Sequence, residues 1–132
     1  MDSTSIDLNG SKISTVTVDG DTVKVRFEPA YLIKTMTGSV ERTRWWQNGE
    51  LVFSGAELAE DAPLPDLPAE CSGGDVGENV YTYRDMIPVP LESVGHAHCD
   101  LRVGAGTIRV QAQGVRLALE DVAKYIEHIR PE

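Results

Sequence analysis

Apolar and polar residues alternate most regularly between Gly95 and Leu119, on both sides of the Gly104-Ala105-Gly106 segment. A period of two is typical of a half-buried β-strand. The alternating apolar positions are Ala97, Cys99, Leu101, Val103, Ile108, Val110 and Ala112. With Ala105 and Gly106 at the tip of a turn, Val103 faces Ile108 and each apolar residue meets an apolar partner. The pattern therefore predicts a β-hairpin.

Two more hairpins are indicated by dipeptides that tolerate the positive φ angles of tight turns. Asp19-Gly20 would form the tip of the first, and we expect Pro29 to interrupt its pairing before another strand-forming segment begins. Asn48-Gly49 would form the tip of the second, in which Trp46 faces Leu51. These elements predict a mainly β protein, a small antiparallel barrel or sandwich built from hairpins.

Near the C-terminus the period of the apolar residues changes to that of an α-helix. The residues at the spacing i, i+3, i+7 are Leu119, Val122, Ile126 and Ile129. Glu120 and Asp121 suit the positive end of a helix dipole, and Arg130 suits the negative end. We expect an amphipathic helix of about three turns, packed on the sheet and ended by Pro131.

The segment 54–78 departs from both patterns. It is acidic and rich in residues that disfavour regular pairing, namely Pro63, Pro65, Pro68, Gly73, Gly74 and Gly77. A connection of this length is usually a functional lid, an Ω-loop or a disordered segment, so we predict a long acidic loop. Cys71 would lie in this loop and be the more reactive thiol, whereas Cys99 points inward from its strand.

The composition indicates which kinds of partner and which cellular compartment to expect for this protein. The 132 residues, which we interpret as a single domain over 1–132, carry 21 acidic against 12 basic side chains and a formal net charge of −9. Surfaces that bind nucleic acid or anionic membrane usually carry a basic excess, so we expect neither partner. No apolar run could span a bilayer, and the start resembles no signal peptide. Two cysteines in such a chain predict reduced thiols and a cytoplasmic protein.

A pair of tryptophans with nearby arginines is the first candidate binding site. Trp45 and Trp46 are adjacent, so on a strand they point to opposite faces, and one can fill the core while the other needs a cover. With Arg42 and Arg44 they could stack on a planar ligand or a nucleic-acid base. Because tryptophan and arginine are enriched at binding hot spots, a protein interface is the better interpretation.

Two histidines with a following aspartate are the second candidate. His96 and His98 emerge on the same face of a strand and could bind one divalent metal such as zinc, with Asp100 or a loop carboxylate as a third ligand. The H-x-H spacing resembles the first motif of the cupin family, but no glutamate stands at the expected distance after His98. No later motif supplies a third histidine, because His128 falls in the predicted helix. We therefore do not assign the chain to that family.

No nucleophile motif, phosphate-binding loop or paired C-x-x-C accompanies these candidates. The sequence favours a non-enzymatic binding or interaction module that needs no cofactor. Its partner would be another protein or a second copy in a homodimer, although a small ligand also fits. The alternative is a small metal-binding β-barrel enzyme that uses His96 and His98.

Overall fold

The computed structural model describes residues 3–36, 38, 41–59 and 63–129. Strands make up 76 % of the structure, which confirms the prediction of a mainly β protein. Their bounds are β1 (Ser3–Asp7), β2 (Lys12–Asp19), β3 (Thr22–Thr35), β4 (Arg42–Ser54), β5 (Glu57–Leu58), β6 (Ala69–Glu78), β7 (Tyr81–Arg84), β8 (Met86–Val89), β9 (Glu92–Val103), β10 (Gly106–Leu119) and β11 (Lys124–Ile129).

Six antiparallel strands close into a barrel, in the order β2, β3, β4, β10, β9 and β6, with β6 pairing back to β2. Of the two predicted architectures, the barrel is therefore the one that forms. Its interior is filled by alternating apolar side chains, among them Phe27, Phe53, Leu51, Leu101 and Ile108, all fully buried. Each such side chain stabilises the fold by about 1.5–3 kcal/mol relative to an exposed one.

Two strands continue past the barrel and carry a second sheet, which we name the extension sheet. It consists of the second half of β3 (30–35), the first half of β4 (42–47), and β1, β8 and β11. β1 pairs with β3 and β8 with β1, whereas β11 pairs with β4. β8 and β11 are thus the two outer strands of this sheet.

The hairpin between β9 and β10 forms, but its register differs from the predicted one by two residues. The tip is Gly104-Ala105, so Leu101 pairs with Ile108 and Val103 pairs with Gly106. Gly104 has a φ of 56°. A shift of two residues keeps every side chain on its predicted face, and alternation alone therefore cannot distinguish the two registers. The β2–β3 hairpin likewise turns at Gly20-Asp21.

The predicted Asn48-Gly49 hairpin is wrong, because β4 runs without interruption through both residues. Gly49 instead allows a close approach of two strands. A Cβ atom there would lie 2.8 Å from the Ala118 carbonyl oxygen and 2.8 Å from Leu119 Cδ2. Pro29 does not end its strand either, because a one-residue bulge carries β3 past it.

The predicted C-terminal helix is also wrong, because the described residues contain no helix and this segment forms strand β11. The buried side-chain amide of Gln47 donates hydrogen bonds to the carbonyl oxygens of Glu120 and Asp121, at 3.0 Å each. These bonds hold the turn between β10 and β11, and after this turn the chain runs back beside β4 as strand β11. The apolar residues at helical spacing are not buried together, since Val122 is 75 % exposed. Pro131 and Arg130 lie outside the described residues.

The segment 54–78 is largely strand rather than one long loop. It contains β5 and β6, and its glycines allow β6 to lie close against β9. Gly74 has a φ of 142°, and a Cβ atom there would lie 2.3 Å from the Asp100 carbonyl oxygen. Residues 63–68 run between the strands without regular structure, and residues 60–62 lie outside the described part. Within the described ranges, no helix has the length and apolar character needed to cross a membrane.

The prediction that Cys71 is a reactive loop thiol is wrong. Cys71 lies in β6 and is fully buried, and Cys99 is 2 % exposed. Burial raises the pKa of both thiols, that of Cys99 to about 12. Since the thiolate is the reacting species, both cysteines are protected by position and by protonation.

We therefore expect neither thiol to react with Ellman's reagent at about pH 8 in the folded protein, and both to react after denaturation. The measurement is absorbance against time with and without guanidinium chloride. A Val18→Cys variant, whose new thiol replaces a side chain that is 56 % exposed, supplies the positive control. Rapid reaction of the folded wild type would show that β6 opens.

Candidate binding site

The outer face of the extension sheet brings together aromatic and basic side chains from three strands. Tyr31 of β3 lies opposite Trp46 of β4, which lies opposite Lys124 of β11. Directly opposite residues project on the same face of a sheet. Arg42 and Arg44 alternate with Trp46 along β4 and so project on this face as well. We call this side of the extension sheet its outer face.

A cation lies over each of the two rings. The Arg44 guanidinium carbon is 4.6 Å from the centre of the Tyr31 ring, and Lys124 Nζ is 5.1 Å from the Trp46 ring. Arg44 is also held by Asp7, with 3.7 Å between Nη1 and Oδ2. Each cation–π contact of this kind stabilises the observed ring orientation by about 0.5–1 kcal/mol. The two rings are thus held in place before any ligand binds.

Beside the rings is a groove of about 470 Å³, which we name the Trp46 groove. Its lining residues are Glu28, Pro29, Tyr31, Trp46, Asn48 and Ile126. Two β-bulges contribute to it. Glu28 and Pro29 lie where the register of β3 shifts, and Ile126 lies where that of β11 shifts. A bulge re-aims side chains and often adjoins functional sites, so the two bulges surround Trp46 with residues that regular pairing would place differently.

Glu28, a charged residue of the groove lining, belongs to a cluster of three charged side chains. Arg26 donates two hydrogen bonds to the Glu120 carboxylate, at 2.6 and 3.0 Å, and a further one to Glu28. The hydrogen bonds from Arg26 lower the pKa of Glu120, and those to Glu120 and Glu28 raise the pKa of Arg26. Arg26 and Glu120 therefore stay charged near neutral pH. One guanidinium thus holds two carboxyl groups beside the apolar part of the groove.

Trp45 projects from the opposite face, as the alternation along β4 requires. It packs against the hydrophobic core, and Tyr125 meets its ring edge-on at a centroid distance of 5.3 Å. Its indole N–H donates to Thr43 Oγ1 at 2.8 Å, and Lys34 Nζ lies 4.3 Å from its ring centre. Of the predicted group, Trp46, Arg42 and Arg44 share one face, whereas Trp45 belongs to the other.

Sequence reasoning missed much of the groove, namely Pro29, Tyr31, Asn48 and Ile126, and it missed Lys124 over the Trp46 ring. The sequence pattern predicts a helix over Lys124 and Ile126 and a turn at Asn48. Only a strand assignment for the six residues of β11 would place Lys124 and Ile126 beside Trp46. The β-branched and aromatic residues Tyr125, Ile126 and Ile129 were the available signal.

His96 and His98 project together from β9 on the outside of the barrel. Their ring centres are 5.8 Å apart, with the ring planes tilted by 32°. The Asp100 carboxylate lies 3.3 Å from Arg109 Nε, in an ion pair across to β10. Among the residues that the structure describes, no group of three or more His, Cys, Asp and Glu side chains could hold a metal ion. The metal site at His96, His98 and Asp100 stays a prediction.

His98 also has a structural partner. It lies directly opposite Gly77 of β6, and a Cβ atom on Gly77 would lie 2.0 Å from His98 Cε1. The imidazole therefore occupies the space above the glycine and covers its backbone. Gly77 has an ordinary strand conformation, so the ring rather than the backbone angle excludes a larger residue.

We expect Gly77→Ala to lower the free energy of unfolding by about 1–2 kcal/mol, because the new methyl group displaces the His98 ring. In a His98→Ala background the same substitution is expected to cost nothing, since alanine suits a strand better than glycine. Urea denaturation of the four proteins in this cycle measures the coupling. Equal costs in the two backgrounds would contradict the covering role.

For the metal interpretation, we expect the purified tag-free protein to carry no near-stoichiometric zinc, because two imidazoles alone are too few ligands for a tight site. Elemental analysis and calorimetric titration with Zn²⁺ and Cu²⁺ measure this, with a His96→Ala/His98→Ala variant alongside. His128→Ala is the matched control, because it removes the remaining histidine of the chain, which lies on β11. Retained zinc that the double variant loses would establish the metal-binding alternative.

Comparison of this chain with protein-family models, with curated proteins and with solved structures found no match.

Proposed function

We propose that this protein is a non-enzymatic interaction module that binds an extended, proline-containing segment of a partner protein in the Trp46 groove. The observation that carries the proposal is the pair of adjacent rings, Tyr31 and Trp46, flanked by two β-bulges. Aromatic-lined grooves on small β domains are a recurring means of binding polyproline II segments, whose rings pack on tryptophan and tyrosine faces.

The remaining lining residues suit the same kind of ligand. A polyproline II segment has no internal hydrogen bonds, so its carbonyl oxygens need donors. The Asn48 side-chain amide lies at the groove and can donate to such a carbonyl. Pro29 and Ile126 add apolar surface on either side of the rings. The mixture of aromatic anchors with few polar groups is typical of ligand sites.

The preset orientation of the rings supports binding in a second way. Ordering a flexible side chain at an interface costs about 0.5–1.5 kcal/mol. Arg44 and Lys124 already lie over the Tyr31 and Trp46 rings in the free protein. The rings therefore have less conformational freedom to lose when a ligand binds. A partly exposed tryptophan at the centre of such a groove is the side chain expected to dominate the binding energy.

A larger cavity supports no competing proposal. It has a volume of about 660 Å³ and lies beside β5, between Val18, Leu58 and Gln111. Its lining carries one ionisable group, Glu57, among the described residues. A catalytic site needs a nucleophile or an acid–base pair with defined mutual geometry, and this lining offers no such set. The Trp46 groove is therefore the surface on which the proposal depends.

The test is a titration with a synthetic polyproline peptide of about ten residues, followed by tryptophan fluorescence. We expect a saturable change, because the peptide covers Trp46. Trp46→Ala is expected to weaken binding at least tenfold, measured by calorimetry, since truncated hot-spot residues typically cost more than about 1.4 kcal/mol.

Trp45→Phe is the matched control, because Trp45 lies on the other face and the substitution keeps an aromatic ring against the core. This variant is expected to bind the peptide as the wild type does. Thermal denaturation of both variants checks that they fold. Absence of saturable binding, or equal binding by Trp46→Ala, would contradict the proposal.

A further inference from the structure

The cations on the outer face of the extension sheet differ in whether an acidic group offsets their charge. Arg44 is paired with Asp7, at 3.7 Å between Nη1 and Oδ2, and Glu127 lies directly opposite Arg44 on β11. Lys124 and Arg42 form no ion pair with any carboxylate in the part of the chain that the structure describes. The charges of these two side chains are therefore available to a ligand.

Of these two cations, Lys124 is the one beside the Trp46 groove. Its Nζ atom lies 5.1 Å from the centre of the Trp46 ring, and the residue is exposed to solvent. Arg42 lies four residues from Trp46 along β4, which corresponds to about 13 Å at about 3.3 Å per residue. A ligand that packs on the Trp46 ring therefore meets the Lys124 ammonium first.

The β3 side of the groove has the opposite formal charge. Glu28 of β3 lines the groove, and Arg26 donates hydrogen bonds both to Glu28 and to Glu120. One guanidinium between two carboxyl groups leaves an excess of negative formal charge on this side. Because β4 with Trp46 separates β3 from β11, the groove has a negative side at Glu28 and a positive side at Lys124.

We propose that the segment bound in the Trp46 groove is acidic as well as proline-containing, with an Asp or Glu side chain that forms an ion pair with Lys124. The inference rests on the proposed function, because it specifies the ligand of the same groove. The acidic residue is a close neighbour of the proline that packs on Trp46, since Lys124 Nζ lies only 5.1 Å from the centre of that ring.

The net charge of the chain would by itself favour the opposite kind of ligand. A formal net charge of −9 attracts basic partners and repels acidic ones. At physiological salt, however, exposed charges separated by more than about 8 Å are largely screened from each other. An ion pair with Lys124 lies well within that distance. We therefore expect this nearby cation, rather than the distant carboxylates, to set the preference.

The test compares three polyproline peptides of about ten residues that carry Glu, Gln or Lys at one central position, by calorimetric titration at about 0.15 M salt. The repeated prolines offer several equivalent registers, so the central residue can reach Lys124 in one of them. We expect the Glu peptide to bind about threefold more tightly than its Gln counterpart, the range of an exposed ion pair. The Lys peptide is expected to bind more weakly than either.

Variants of Lys124 assign the preference to this side chain. Lys124→Gln is expected to bind the Glu and Gln peptides equally, and Lys124→Glu to bind the Lys peptide most tightly. Lys12→Gln removes the same charge at an exposed position of β2 and is the matched control, expected to keep the preference for Glu. Thermal denaturation of each variant checks that it folds.

The outcomes separate this inference from the proposed function. Equal binding of the Glu and Gln peptides by the wild type, tighter binding of the Lys peptide, or a preference for Glu that persists in Lys124→Gln would overturn the inference. In each of these cases the proposed function stands if binding of the Gln peptide is still lost in Trp46→Ala. Absence of binding by all three peptides would overturn both.

Discussion

The long antiparallel pairing of β3 with β4 is the constraint on which the rest of the structure depends. It runs from Val23 opposite Phe53 to Thr35 opposite Arg42 and so belongs first to the barrel and then to the extension sheet. The one-residue bulge between Phe27 and Ala30 keeps both of these residues buried although they are three apart. Without that bulge the apolar face of β3 would turn to solvent beyond the barrel.

The sequence determined which face each side chain occupies more reliably than it determined the ends of the strands. Alternation placed Leu101 and Ile108 inside, and the sheet keeps them there with a register shifted by two. Asn48-Gly49 failed as a turn signal because the glycine serves a distant contact with β10, which no local pattern reveals. The apolar spacing near the C-terminus failed for a related reason. A free edge on β4 offers backbone hydrogen bonds that outweigh weak helical amphipathicity.

Of the candidate site, the sequence predicted only Trp46 and the two arginines beside it on β4, Arg42 and Arg44. Adjacent tryptophans on a strand must separate, and the structure sends Trp45 to the core and leaves Trp46 in a groove. Tyr31 reaches that groove from a strand 15 residues away along the chain. Ile126 reaches the groove, and Lys124 the Trp46 ring, from a strand about 80 residues away. Such neighbours depend on strand order, which propensity and periodicity do not contain.

The bulge at Ile126 links the groove to the open edge of the sheet. The bulge directs Ile126 toward Trp46, while Glu127 stays opposite Arg44. It therefore shapes the groove without ending the pairing of β11 with β4. Lys124 precedes the bulge, and its Nζ lies 5.1 Å from the centre of the Trp46 ring. β11 therefore supplies Trp46 with a charged neighbour before the bulge and an apolar neighbour at it. A change in the pairing of β11 with β4 would displace both neighbours together, because they stand on one short strand.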